Sequence, residues 1–387
     1  MALCHWLQLA LTDGIGPILA RRLIETCGGV EAACAADTRT LQQIEGIGSH
    51  KSGNILASLR AAAGEVDAEL ERAAAAGAAV ICPDDEVYPA LLNSIPDPPL
   101  VLYVKGQLEP RDLNAVAIVG SRKCSFYGRE QGERFAALLA GAGVTVISGG
   151  ARGIDSASHR GALSHPHGRT IAVQGCGVNI AYPPENAPLF EQIASRGAVV
   201  SEYPIDSPPV PENFPRRNRI VSGMSRGVLV IEADERSGAL ITARQACDDH
   251  GRPVFALPGR VDNRMSAGPH MLIRDGATLV TKLEDILDSL GPLPQQVMES
   301  MPESLKEEVL TPPAQPSPRE APAGIDLELL SEGQRQIIAH LDGEPVSVDQ
   351  IIERSGLDAS AVMRELTFLS LKGVVRRVGG QMFARAR

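Results

Sequence analysis

Four short glycine-bearing segments of this 387-residue chain, three of them combining glycine with serine or arginine, suit an anion. They are Gly120-Ser121-Arg122, Gly149-Gly150-Ala151-Arg152-Gly153-Ile154-Asp155, Gly175-Cys176-Gly177 and Arg236-Ser237-Gly238. Glycine lets the main chain approach a ligand, unpaired amides at a helix start attract negative charge, and arginine adds a charged fork. A fifth segment, Phe214-Pro215-Arg216-Arg217-Asn218-Arg219, places three arginines within four residues. So many guanidinium groups are costly to bury, so this cluster is expected to face solvent or an anion. Asn218 is suited to bridge backbone amides or to touch a base. The candidate binding set is therefore Gly120, Ser121, Arg122, Gly149, Gly150, Arg152, Gly153, Arg216, Arg217, Asn218, Arg219 and Ser237.

The elements around these segments make the pattern specific. Between 115 and 280, short Val/Ile-rich runs at 115–119, 144–148, 170–174, 198–201, 228–232, 254–257 and 278–280 alternate with helical stretches such as 128–142 and 239–250. This alternation predicts a mostly parallel α/β sheet covered on both faces, a Rossmann-like fold. Ligands of such sheets bind beyond the carboxyl ends of the strands, where all four glycine segments fall. Four of them on one edge predict a rim for phosphates.

Other chemistries fit poorly. The first loop, Gly-Ser-Arg, lacks the G-x-G-x-x-G of a dinucleotide site, and the second strand ends in Ser148 rather than an acidic residue. No G-x-x-x-x-G-K-[ST] is present for a nucleoside triphosphate, and no G-x-S-x-G elbow for a serine hydrolase. His159 follows Asp155 by four residues, a spacing more often structural than catalytic. His165-Pro166-His167 has no third ligand in view, so neither metal nor cofactor is expected. A net charge of −10 argues against a protein that coats nucleic acid by bulk charge, while leaving room for a local site. Seven scattered cysteines without a Cys-x-x-Cys pair predict reduced thiols and a cytoplasmic protein. No run reaches a membrane-spanning length, and the apolar start at 1–11 lacks a basic region and a small-residue cleavage site, so no signal peptide is expected.

The flanks read as separate modules. Gly14-Ile15-Gly16 recurs as Gly46-Ile47-Gly48, and small residues (Ala20, Ser52) and apolar ones (Leu23, Ile55) repeat at the same offsets. This predicts tandem helix-hairpin-helix units over 1–80, whose helix-start amides can take a phosphate. Residues 61–80 read as a helix and 81–114 as a connection with a strand at 100–104. Residues 81–290 form the Rossmann-like domain. A proline-rich linker at 291–325 precedes a 326–387 domain of three helices and a hairpin, a winged helix with eight basic and nine acidic residues. So balanced a charge predicts an auxiliary or partner-binding module rather than a primary DNA site.

The stretches AIVGSRKCSFYG, SGGARGIDSASHRGAL, TIAVQGCGVNIAYPPEN, SEYP, FPRRNRIVSG, RSGALITA and ALPG followed by LIRDGA run in order over about 165 residues. Together they closely resemble the DNA-processing protein A (DprA, or Smf) family. The resemblance implies a homodimer that binds incoming single-stranded DNA in natural transformation, shields it, and loads the RecA recombinase. It maps the DNA site to Ser121 and Arg122, the 149–153 loop and the RRNR cluster. Two positions depart from the family pattern: Pro184 stands where many members carry lysine, and Asn179 where aspartate is common. Pro269 to Ile273, apolar and near the sheet edge, is the expected dimer segment. The main rival is a nucleotide-cleaving enzyme of the lysine-decarboxylase-like group, but its glutamate is missing from 235–244, so no enzyme is expected. A nucleotide-sensing adaptor is the third reading.

Overall fold

The computed structural model describes residues 2–292, 331–341, 346–371, 374–379 and 382–385, and the chain divides into two compact units at 312/313. The expected linker lies almost wholly outside the described residues.

The first unit opens with five helices, α1 (Ala2–Ala10), α2 (Pro17–Cys27), α3 (Val30–Cys34), α4 (Thr38–Gln43) and α5 (Ser49–Ala75). The sequence repeat is folded twice in the same way. Both turns carry a positive-φ glycine (Gly14 at +84°, Gly46 at +96°), and both helices begin at the second glycine of the motif, with Gly16 capping α2 and Gly48 capping α5. Ala20, Leu23, Ser52 and Ile55 are buried. Gly14 faces Ile55 and Gly46 faces Leu19, so each hairpin packs on the helix of the other. The helix expected at 61–80 is the second part of the longer α5. It ends at Gly77, whose φ of +69° ordinary residues rarely adopt, and the chain turns into a strand that the sequence reading missed.

The remaining elements are β1 (Ala78–Ile81), α6 (Ala90–Asn93), β2 (Leu102–Gly106), β3 (Ala115–Val119), α7 (Phe126–Gly141), β4 (Thr145–Ser148), α8 (Ile154–Ser164), β5 (Thr170–Val173), α9 (Ala187–Arg196), β6 (Ala198–Ser201), α10 (Asn213–Gly223), β7 (Gly227–Val230), α11 (Gly238–Arg244), β8 (Val254–Ala256), α12 (Ala267–Arg274), β9 (Thr278–Leu279) and α13 (Glu284–Leu290). The sheet runs β1-β2-β6-β5-β4-β3-β7-β8-β9. All its pairings from β6 to β9 are parallel, and β1 and β2 extend it antiparallel. The central strands are apolar on both faces because two cores flank them. One core joins Ile147, Ile171, Ile220 and Val228, and the other joins Val116, Phe135, Val146 and Phe255. A third joins Leu7 and Val66 of the helical segment to Tyr103 and Phe190, so those helices share a core with the sheet. From β3 the chain winds one way to β4, β5 and β6, then returns to the other side at β7. The crevice between β3, β4 and β7 is thus the switch point of a Rossmann-like sheet, where ligands of this fold lie.

The second unit holds α14 (Glu332–Ala339), α15 (Val348–Ser355) and α16 (Ala359–Leu371) beside a sheet of order β10-β12-β11, with β10 (Val346–Ser347), β11 (Val375–Gly379) and β12 (Met382–Arg385). Reciprocal caps, Ser331 with Gln334 and Ser347 with Gln350, start the first two helices. Ile337, Leu341, Ile351, Val362, Leu366 and Phe383 close its core. Three helices and a three-stranded sheet make this a winged helix.

Candidate nucleic-acid interface

A cleft of about 580 Å³ opens at the carboxyl edge of the sheet, over the switch point. Its walls come from the loops after β3, β4 and β7 and from the first turns of α10. Gly120, Ser121 and Arg122 line it from the first loop, Gly149 and Ala151 from the second, and Arg236 and Ser237 from the third. Ser237 also caps α11, its hydroxyl accepting from the Ala239 amide at 3.3 Å.

Helix α10 contributes one face. Phe214, Arg217, Asn218 and Val221 line the cleft at the i, i+3, i+4, i+7 spacing of a single helical stripe. Arg216, off that stripe, is exposed outside the cleft, and Arg219 turns the other way. The Arg219 guanidinium is buried between Glu202 at 2.6 Å and Asp97 at 3.0 Å. The anions that Arg219 faces are thus carboxylates of its own chain, so unlike Arg216 and Arg217 it is not free for a ligand. Two carboxylates remote in sequence neutralise it, which is the condition under which a buried arginine is tolerated.

Arg217 is different. It is buried, yet among the described residues none of its guanidinium N–H groups makes a hydrogen bond, and its Nε is enclosed without a partner. Burial pulls its pKa below the usual arginine value, opposed by the charge of Asp155. Asp155 is itself pushed up by burial, and its carboxylate accepts from the Ala151 amide at 3.2 Å. The guanidinium lies flat on Gly149, where a Cβ would come within 2.0 Å of Nη1. Glycine leaves room for the guanidinium in this position, and any side chain there would displace it. The result is a buried cation with spare donors on the wall of an open cleft.

Above it stands a short aromatic cluster. The Arg122 guanidinium lies 5.3 Å from the Phe214 ring centroid, and the Tyr182 ring centroid lies 5.3 Å from that of Phe214, the two rings tilted by 41°. Lys123, Tyr182, Phe214 and Arg236 all line the cleft and lay outside the candidate set drawn from the sequence. The α10 stripe was the available signal for Phe214. Tyr182 reaches the cleft only because the loop after β5 folds back on the glycine loop, where Asn186 donates to the Gly150 carbonyl at 2.9 Å.

Three candidates of the glycine loop do not line the cleft. Gly150 packs on Phe190, and Gly153 backs onto the Ser121 carbonyl. Arg152 is held in a two-pronged ion pair with Glu185, Nη2 to Oε2 at 3.0 Å, both side chains exposed. In the expected dimer segment, Pro269 and Leu272 are buried in the core, while His270 bonds the Gly259 carbonyl at 3.0 Å. The neighbouring edge strand β9 leaves Leu279 exposed. Among the described residues no cluster of His, Cys, Asp and Glu is fit to hold a metal, and no helix is long and apolar enough to cross a membrane.

A doubly wound sheet with a cationic, glycine-lined cleft at its switch point places this chain among the Rossmann-like α/β proteins. The family model described as DNA recombination-mediator protein A matches residues 79–291, and that of the DprA winged helix domain matches residues 312–381. The chain is 36% identical to Protein Smf of Synechocystis sp. over 98% of both chains. It belongs to the DNA recombination-mediator protein A (DprA/Smf) family. Among solved structures, DNA processing protein A of Streptococcus pneumoniae matches with a TM-score of 0.63 and 32% identity, covering 74% of this chain and 98% of that one. DNA processing protein A of Helicobacter pylori, whose structure concerns its single-stranded DNA binding mode, matches with a TM-score of 0.50 and 30% identity, covering 56% and 97%.

Proposed function

We propose that this protein binds single-stranded DNA in the cleft at the carboxyl edge of its sheet and acts by holding the strand rather than by turnover. The observation that carries this reading is Arg217. A buried guanidinium with unused donors is unfavourable until an anion completes it, and a backbone phosphate supplies both charge and acceptors. The Arg122, Phe214 and Tyr182 side chains beside it offer a guanidinium and two aromatic faces on which a base can stack. A cleft that pairs a phosphate with an unpaired base suits a single strand, whose bases are free to stack. The single-stranded DNA binding of the Helicobacter pylori relative supports the same reading.

In this reading residues 81–290 carry the DNA and residues 1–80 and 326–387 are accessory. The protein works in the cytoplasm as a homodimer, with α12 and the exposed Leu279 of β9 at the contact. It shields incoming single strands in natural transformation and hands them to the RecA recombinase, roles carried by the family resemblance. The direct test is a salt titration of binding to single- and double-stranded oligonucleotides. Single strands are expected to bind more tightly, with log K falling by about 0.7 per log unit of salt for each phosphate neutralised. Tighter binding to duplex, or indifference to salt, would overturn the proposal.

A further inference from the structure

Two exposed apolar stretches meet beside the cleft. Phe126 and Tyr127, at the start of α7, are 79% and 44% exposed, and Val261, in the loop after β8, is 94% exposed. Both stretches are tied to one buried carboxylate. Glu232 accepts from the Ser125 amide at 2.7 Å and the Ser125 hydroxyl at 2.6 Å, and from Asn263 Nδ2 at 3.3 Å. The Tyr127 hydroxyl reaches the Pro258 carbonyl at 3.4 Å and closes the second link between them. These bonds hold the two segments together, so Phe126, Tyr127 and Val261 project from one anchored lip of backbone. Single exposed apolar residues are ordinary on a protein surface; a clustered, anchored set marks a contact site.

The lip continues the cleft. Lys123 lines the cleft and precedes Phe126 by three residues, a span of at most about 11 Å of chain. On the other side the loop that carries Val261 runs into Met265, which also lines the cleft. We propose that this lip is a base-stacking subsite for the single strand where it leaves the cleft. Phe126 and Val261 take the faces of one or two bases, and the intervening phosphates follow Arg122 and Lys123. The inference rests on the reading of the cleft as a single-strand site and extends that site. Size argues for nucleic acid as the occupant. One aromatic ring buries roughly 150–250 Å² and a stable protein interface needs ~800 Å² per partner, so three side chains suit one or two bases and fall short of a protein. The exposed cations Arg122, Lys123 and Arg129 around it complement a polyanion.

The test uses the full chain, poly-dT oligonucleotides of about 4 to 12 nucleotides, and versions with abasic positions. The variant Phe126→Ala/Val261→Ser removes exposed groups only and leaves the Ser125 cap in place. It should bind the shortest oligonucleotide like the parent and the longer ones about tenfold more weakly, a loss of ~1.4 kcal/mol. An abasic position at the lip should cost the parent the same factor and the variant nothing further. Equal binding of long oligonucleotides by parent and variant would overturn the proposal. So would a loss that abasic positions do not reproduce, or an unchanged DNA affinity with altered mass in light scattering, which would make the lip a protein contact. Arg122→Ala serves as the separate control: normal binding of every length by that variant would sink the cleft reading itself, whatever the lip does.

Discussion

Arg217 and Arg169 lie at opposite edges of one sheet, each with 4% of its surface exposed. Each borders a cavity, about 580 Å³ at the carboxyl edge and about 630 Å³ at the amino edge. Neither burial nor volume separates them; their hydrogen bonds do. Arg169 meets Asp112 through Nε at 2.6 Å and Nη2 at 2.8 Å, and Glu109 and the Arg196 carbonyl through Nη1 at 3.1 and 3.2 Å. Its neighbour Arg196 is likewise spent on the carbonyls of Leu163 and Gly168. Arg217 has no such partners. The amino-edge cavity is lined by cations that are already satisfied, and the carboxyl-edge cleft by one that is not. A saturated arginine holds a fold together, and an unsaturated one awaits a ligand.

The largest effect expected from this contrast is on stability. Arg169→Ala should cost about 3 kcal/mol, because it strands the buried carboxylate of Asp112, while the half-exposed Glu109 keeps its pair with Arg111. Arg217→Met removes a buried charge that makes no hydrogen bond and has only the charge of Asp155 opposite it, so it should cost far less stability than Arg169→Ala while abolishing DNA binding. Denaturant melts paired with an oligonucleotide shift assay check both. If the two variants exchanged phenotypes, the distinction between satisfied and unsatisfied arginines would be wrong for this protein.

Arg122→Ala sharpens the carboxyl-edge half. Its guanidinium is exposed and rests on Phe214, so its loss should leave the fold intact. A charged contact to phosphate is worth ~1.5–3 kcal/mol, which predicts about 10- to 150-fold weaker binding. Parent-like affinity in the same shift assay would remove the loop after β3 from the site.

The same contrast explains what the sequence could reveal. The Rossmann-like sheet was legible because its strands are apolar on both faces and their spacing leaves room for helices. The rim was legible because glycine and arginine fell after several strands. Arg217 and Arg219 were not separable, since two residues on one helix read alike until Asp97 and Glu202, more than a hundred residues apart, converge on one of them. The α10 stripe of Phe214, Arg217, Asn218 and Val221 was in principle readable, because helical periodicity alone puts them together. Strand β1 was missed because four residues after a long alanine-rich helix carry too little pattern to announce a change of structure.

A third buried group on α8 tests the wall of the cleft by pH. His159 is fully enclosed, and its Nδ1 lies 2.7 Å from the Thr170 hydroxyl. That hydroxyl donates to the Val146 carbonyl, so Nδ1 is the donor and Nε2 is left as an unpartnered acceptor. Burial, with Arg217 and Arg160 adding repulsion, holds its pKa down to about 3. The unfolded chain takes up this proton first, so the contribution is full above pH ~6.5 and is lost as pH falls towards 3. Between pH 6.5 and pH 5 it amounts to ~2 kcal/mol. Asp155 and Glu202, raised by burial, act in the opposite sense, so the measurement is a difference. His159→Gln should flatten the fall in melting temperature between pH 7 and pH 5 relative to the parent, and parallel curves would refute it.

The smallest effect concerns Arg152, an arginine of the glycine loop that an exposed acid already occupies. Glu185 holds it in a two-pronged pair, and each side chain shifts the other towards its charged form through that hydrogen bond. If the proposed strand runs past the glycine loop, the carboxylate competes with its phosphates for the Arg152 donors. An exposed pair of this kind is weak and exchanges partners readily. Glu185→Gln should therefore free Arg152, tighten single-strand binding about threefold, and steepen the salt dependence by up to about 0.7, the increment of one further phosphate contact. The opposite outcome has its own physical meaning. Asn186, the next residue, anchors this loop to Gly150 and Ser156, so a pair that positioned the loop rather than masking the arginine would make Glu185→Gln bind more weakly, with no change in salt slope.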